Sequence, residues 1–225
     1  MKRNKNIYCL EGLWNDYDLK DKSSVKPLLE FISKSTSTDF IYHDCATKDE
    51  LGFFLKKWAQ KSIGDRFPIL YLACHGEQEK IFLNRKDFVT LNEIAEILRD
   101  QCYGKVFYFG SCSTLKIDKR KIQSFLTKTN AIAAIGYQVD VEWMISSACD
   151  LLVFEALQDD RLDSKGIVKI RDKIFQAYGN LPKQLNLRMV VNEKVHFPRT
   201  RTVPALRVAM KRKMKGSLRS AGLRK

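Results

Sequence analysis

Two nearly continuous apolar runs, Pro68–Ala73 (Pro-Ile-Leu-Tyr-Leu-Ala) and Lys105–Phe109 (Lys-Val-Phe-Tyr-Phe), constrain this chain more than any other feature. A strand with one wet face alternates apolar and polar residues, whereas a strand covered on both faces loses that alternation. Further short runs at Ile7–Leu10, Phe40–Tyr42 and Ala131–Ile135 read as strands of the same kind.

Helical patterns separate these runs. Val25, Leu28, Leu29 and Ile32 recur at helical spacing behind Ser24, a suitable N-cap, with Pro27 tolerated in the first turn. Thr47 and Glu50 have the spacing of a capping box ahead of Leu51, Phe54, Leu55 and Trp58, and Thr90 and Glu93 repeat it ahead of Ile94 and Leu98. A helix is expected around Ile122–Leu126. Met144–Leu157 is apolar nearly all round and predicts a buried helix. Ile167, Ile170, Ile174 and Tyr178 mark another, with Gly179 as its C-terminal stop and Pro182 beyond it. Between Gly76 and Thr90, the pieces Lys80–Leu83 and Asp87–Val89 predict a small surface hairpin, and Leu187–Val191 with Val195–Phe197 a closing hairpin or edge strands. Strands alternating with helices imply an α/β fold, with a mostly parallel sheet, right-handed crossovers and helices on both faces. The working edge of such a sheet lies at the carboxyl ends of its strands.

With 225 residues, 44% of them hydrophobic and 11% aromatic, the chain has material for one full-sized core. Ten of its net +14 charges reside in residues 199–225, which contain ten Lys or Arg and no acid. That division predicts a domain over residues 1–198 and a basic tail over 199–225. The tail suits contact with nucleic acid phosphates or another acidic surface, and reads equally as a solvated segment. The only apolar stretch near the start, Ile7–Leu10, is too brief for a signal-peptide core or a membrane span. No transmembrane segment and a cytoplasmic location are therefore expected. The six cysteines, at 9, 45, 74, 102, 112 and 149, show no C-x-x-C spacing and lie mostly inside apolar runs, so free, buried thiols are expected. No Gly-rich phosphate loop follows any strand, which disfavours a nucleotide- or flavin-binding sheet.

Both long runs end in reactive residues. Pro68–Ala73 stops at Cys74-His75-Gly76, and Lys105–Phe109 at Gly110-Ser111-Cys112-Ser113. If these strands are neighbours, an imidazole and a thiol converge on one edge. An imidazole beside a thiol takes up its proton to give the attacking thiolate, then returns that proton to a leaving amine. A glycine at position 76, lacking a Cβ, lets its amide approach a substrate carbonyl and form an oxyanion hole with the amide of Cys112. A lone His and a lone Cys at strand ends also arise by chance. A metal site from Cys74, His75 and Cys112 is disfavoured, because adjacent side chains leaving a strand point to opposite faces and no ligand pair has zinc spacing. His43 and His196 read as ordinary strand-end residues.

The ordered set Leu70-Tyr-Leu-Ala-Cys-His-Gly76, Ile81-Phe-Leu83 with Thr90-Leu91, and Val106-Phe-Tyr-Phe-Gly-Ser-Cys-Ser113 resembles the caspase-like cysteine peptidases, most closely their CHAT branch. Ala131-Ile-Ala-Ala-Ile-Gly-Tyr-Gln-Val-Asp140 and the helix after it extend the resemblance over roughly residues 5–160. It implies a caspase-like three-layer sandwich and peptide-bond hydrolysis through a thioester, without metal or organic cofactor. His75 would be the general acid/base, Cys112 the nucleophile, and the amides of Gly76 and Cys112 the oxyanion donors. The Gln-Ala-Cys-Arg-Gly context of true caspases is absent, so cleavage after aspartate is not expected. Relatives of the CHAT type favour a basic P1 residue through an acidic pocket, which places Asp140, and secondarily Glu142, as substrate-binding. From the residues alone both are ordinary exposed loop acids. The implied partners are a protein substrate and an activating protein or oligomer, in a regulatory or bacterial defence role. The alternative is a non-catalytic module of the same fold that binds through its tail.

Overall fold

The structure, a computed structural model, describes residues 4–18 and 20–194. The chain runs through β1 (Ile7–Glu11), α1 (Lys26–Ser35), β2 (Phe40–Asp44), α2 (Lys48–Ala59) and the single turn α3 (Lys61–Gly64). β3 (Ile69–Ala73) leads into the short strands β4 (His75–Glu77), β5 (Lys80–Phe82) and β6 (Phe88–Thr90), then α4 (Leu91–Ile97). After these come β7 (Val106–Phe109), α5 (Lys119–Thr129), β8 (Ala133–Tyr137), α6 (Trp143–Asp159), α7 (Gly166–Gln176), α8 (Asn180–Gln184) and β9 (Leu187–Val191). The main sheet has six strands in the order β2-β1-β3-β7-β8-β9, parallel except for β9, which runs antiparallel to β8. β4, β5 and β6 form a separate antiparallel sheet.

Every residue of β1, β3, β7 and β8 is buried, whereas edge strand β2 is partly exposed. Burial on both faces is why these segments read as unbroken apolar runs. On one face Leu10, Leu70, Leu72, Phe107 and Phe109 share a cluster with Leu51, Leu55 and Trp58 of α2, Ile94 of α4 and Phe125 of α5. On the other, Tyr71 and Tyr108 meet Phe154 of α6 at ring-centre distances of 5.0 and 5.3 Å. Helices thus cover both faces, giving the expected α/β sandwich. Both capping boxes form, with Thr47 and Thr90 each accepting from the backbone amide three residues on. No helix among the described residues is long and apolar enough to cross a membrane.

The α6 face holds a buried carboxylate that periodicity could not reveal. Asp150 accepts from the hydroxyls of Tyr71 (2.6 Å), Tyr137 (2.5 Å) and Tyr108. Burial raises its carboxyl above the ordinary range, and the three hydroxyl donors oppose that rise. One acid on α6 is thereby tied to β3, β7 and β8 at once.

Several expectations need correction. α1 begins at Lys26 after Val25, one residue later than a Ser24 cap implies, although the Ser24 hydroxyl still accepts from the Lys26 amide (3.0 Å) while the Glu11 carboxylate accepts from the Val25 amide (2.7 Å). His75 does not merely follow a strand but opens β4, pairing opposite Phe82, so the expected hairpin is a three-stranded sheet. α6 is not buried all round: Trp143, Met144 and Ile145 in its first turn are exposed. Gly179, at φ +58°, sits at the N-terminus of α8 rather than ending a helix, and Pro182 lies inside α8. The Val195–Phe197 segment, His196 and the basic tail fall outside the described residues.

Candidate active site

β3 and β7 are direct parallel neighbours, with Leu72 opposite Phe109, so His75 and Cys112 leave the same edge of the sheet. Gly110 continues the register by donating to the Leu72 carbonyl (2.9 Å). A Cβ at Gly110 would strike the Tyr71 ring, so glycine is what lets β7 exit there.

His75 is exposed and held by a backbone carbonyl. Its Nε2 lies 2.8 Å from the carbonyl oxygen of Trp14, which can only accept, so Nε2 carries the hydrogen. Nδ1 is therefore the lone-pair nitrogen of the neutral ring. The Trp14 indole packs edge-on against the imidazole at 5.1 Å and against Trp143 at 4.6 Å. The Trp14 segment is pinned in turn: Gly12 N–H donates to Ala73 O (2.9 Å) and Leu13 N–H to Leu83 O (2.7 Å). The buried Glu11 carboxylate accepts from Trp14 Nε1 (2.5 Å), the Val25 amide (2.7 Å), Ser24 Oγ (2.6 Å) and Tyr42 Oη (2.5 Å). One carboxylate thus anchors both ends of the loop between β1 and α1.

Cys112 sits in a turn completed by Ser113 at φ +51°. The Val141 amide points at its sulfur (3.4 Å), and Ser113 N–H donates to Val139 O (3.1 Å), so the segment after β8 runs alongside the Cys112 turn. Thr114 Oγ1 braces that turn from within hydrogen-bond distance of Ser111 Oγ (2.8 Å), Cys112 O (3.2 Å) and Lys80 O (3.2 Å).

Gly76 joins the two halves. A Cβ there would collide with the carbonyl oxygen of Cys112 and with Thr114 Oγ1, and would lie 2.8 Å from Ser111 Cβ. The His75-Gly76 backbone therefore rests directly on the backbone that carries Cys112. Asp140 is exposed and accepts from Ser113 Oγ (2.7 Å), next to Cys112 in the chain, whereas Glu142 is exposed at the position before α6.

Cys112 alone of the six cysteines is not buried. Burial pushes the Cys45, Cys102 and Cys149 thiols up to about 12 and raises Cys9 and Cys74 as well. His43 stacks on Phe54 at 4.0 Å, with burial lowering its pKa, as suits a packing residue. Among the described residues no three His, Cys, Asp or Glu side chains are placed to hold a metal. Sequence reasoning missed Trp14, Glu11 and Val141, because nothing local in a polar loop announces a contact 61 residues away.

No curated protein matches this chain. Among solved structures, the crystal structure of caspase-1 from Spodoptera frugiperda is similar, with a TM-score of 0.51 at 12% identity, covering 87% of this chain and 93% of that one. At that identity the likeness is one of fold: the chain has a caspase-like fold. A family model described as "Family of unknown function (DUF6642)" matches residues 4–191, and the chain accordingly belongs to that family.

Proposed function

We propose that this protein is a cysteine endopeptidase working through His75 and Cys112. The observation that carries the reading is the contact of Gly76 with the Cys112 backbone, which brings the histidine strand onto the nucleophile turn. In this reading His75 Nδ1 takes the Cys112 proton as sulfur bonds to the scissile carbonyl carbon. The amides of Gly76 and Cys112 donate to the resulting oxyanion. Collapse breaks the C–N bond, His75 returns the proton to the departing amine, and water then hydrolyses the thioester with His75 as base. The Trp14 carbonyl has the role of the third group that orients the base.

A basic P1 residue is proposed, with Asp140 as its nearby acid, in a regulatory or bacterial defence setting where a partner or oligomer switches activity on. The basic tail is proposed to contact nucleic acid or an acidic protein surface.

The test is labelling by a peptidyl-Arg electrophile, with a peptidyl-Asp electrophile in parallel, read by mass spectrometry on wild type, Cys112→Ala and His75→Ala. His75-dependent labelling of Cys112 by the Arg probe is expected. Equal reaction of His75→Ala, with candidate partners present, would instead favour a non-catalytic binding module.

A further inference from the structure

Two adjoining cavities beside α5 lie outside the chemistry proposed above. Lys121, Ser124, Phe125 and Lys128 recur at helical spacing and share one face of α5. That face, Leu91 and Ala95 of α4 and the turn between β4 and β5 enclose a cavity of about 380 Å³. A second cavity, of about 640 Å³, shares Ser124 and Lys128 with the first and adds Arg99, Lys119, Arg120 and Lys194. Volumes of this order suit a small molecule.

Charge is unbalanced here. Seven Lys or Arg line the two cavities, and among the described residues only Glu79, Glu96, Asp118 and Glu193 pair with them. Glu96 serves both Arg99 and Lys128, and α5 itself carries four cations and no acid. The side chains of those four acids are 37–65% exposed, and exposed ion pairs contribute little, so an incoming anion displaces them at small cost. The first cavity differs in its floor, where Leu91, Ala95 and Phe125 present apolar surface beside Asn92.

We propose that the two cavities together bind a small molecule with linked phosphates and a flat apolar body, a nucleoside diphosphate by its chemistry. Lys121 and Lys128 stand two helical turns apart, about 10 Å along α5. The oxygens of one phosphate do not span that distance, whereas two linked phosphates with an ammonium at each end do. Asn92, whose Oδ1 accepts from Lys128 Nζ (3.0 Å), ties the row of cations to the apolar floor on which the flat body rests. No Gly-rich loop is needed, because the phosphates meet side-chain ammonium groups between α4 and α5 rather than backbone amides at a strand end. The site does not depend on the endopeptidase reading.

The experiment titrates the full-length protein with methylanthraniloyl derivatives of ADP and GDP, read by fluorescence polarisation, with methylanthraniloyl-adenosine in parallel and pyrophosphate as competitor. At least one diphosphate is expected to bind about tenfold or more tightly than the nucleoside, and pyrophosphate to displace it. Lys128→Ala should weaken binding about tenfold, the worth of one charge-assisted hydrogen bond, and Lys121→Ala should weaken it as well. Lys34→Ala, which removes an exposed cation from α1, should leave affinity unchanged. Matched urea midpoints confirm that the variants are folded. Binding by neither diphosphate, or equal binding of the nucleoside, would overturn the site. So would diphosphate binding that Lys121→Ala and Lys128→Ala leave intact, or that Lys34→Ala weakens as much, since the charge would then act from elsewhere. A 16-base-pair DNA duplex that binds through Lys121 and Lys128 where both diphosphates fail would replace the small-molecule site by a nucleic acid surface.

Discussion

Replacing Glu11 by Gln should loosen the scaffold that holds His75 while leaving every reacting group in place. The Glu11 carboxylate is 1% exposed and receives four donors, two at each oxygen: Trp14 Nε1 and the Val25 amide at Oε1, Ser24 and Tyr42 hydroxyls at Oε2. The least costly glutamine rotamer turns its NH2 toward the two hydroxyls, which can rotate to accept, and keeps its oxygen for the indole and amide donors. All four bonds then survive as neutral ones. Hydrogen bonds to a charged group contribute about 1.5–3 kcal/mol and neutral ones about 0.5–1.5 kcal/mol, so the loss comes to about 2–4 kcal/mol once partial relaxation is allowed. In a chain of this length that lowers the melting midpoint by about 5–15 °C. Urea unfolding followed by tryptophan fluorescence should show a lower midpoint at an unchanged slope. Because the same loop carries the Trp14 carbonyl, labelling of Cys112 by the peptidyl-Arg electrophile should slow even where the variant is fully folded. A stability loss below about 1 kcal/mol together with unaltered labelling would refute the idea that Glu11 organises this edge.

Other consequences are equally open to measurement. Gly76→Ala should force the Cys112 turn aside, costing about 1–3 kcal/mol by overpacking and a larger share of Cys112 labelling; normal labelling in a folded variant would contradict the contact with Cys112 and Thr114. Iodoacetamide at pH 8 should modify one thiol in the native protein, Cys112, since burial covers the other five cysteines and holds their thiols protonated; rapid native-state modification of Cys9, Cys45 or Cys74 would contradict it. Asp150→Asn should cost more stability at pH 4.5 than at pH 7. The folded carboxyl titrates above its unfolded value, so its contribution is full below about pH 4 and declines as pH rises through the folded value. A stability gap that widens with pH, read from urea midpoints, would show the opposite shift.

Much of the fold lies in local pattern. The buried runs become β3 and β7, both capping boxes form where Thr and Glu stand three apart, and the thiols inside apolar runs are covered. Each is a property of neighbouring residues: two-sided burial removes alternation, and a cap is closed within one turn. The placing of His75 and Cys112 at adjacent strand ends follows from those same runs once the sheet is parallel.

What tertiary structure alone decided is how those residues are held. The Trp14 carbonyl meets His75 across 61 residues, Glu11 meets Tyr42 across 31, and Asp150 meets Tyr71 across 79. A polar residue satisfied by a distant partner leaves no period and no motif in its own neighbourhood, and a tyrosine in an apolar run looks the same whether or not its hydroxyl meets an acid. For the same reason the first turn of α6 reads as buried when it is exposed: an apolar helix shows how much surface could be covered, and only the packing of the loops around Trp14 and Trp143 fixes how much is. Sequence thus determines the strands, the capping boxes and the sheet edge to which His75 and Cys112 are brought, because these depend on residues a few positions apart. The orientation of the imidazole and the tyrosine donors to Asp150 are decided where segments distant along the chain come into contact.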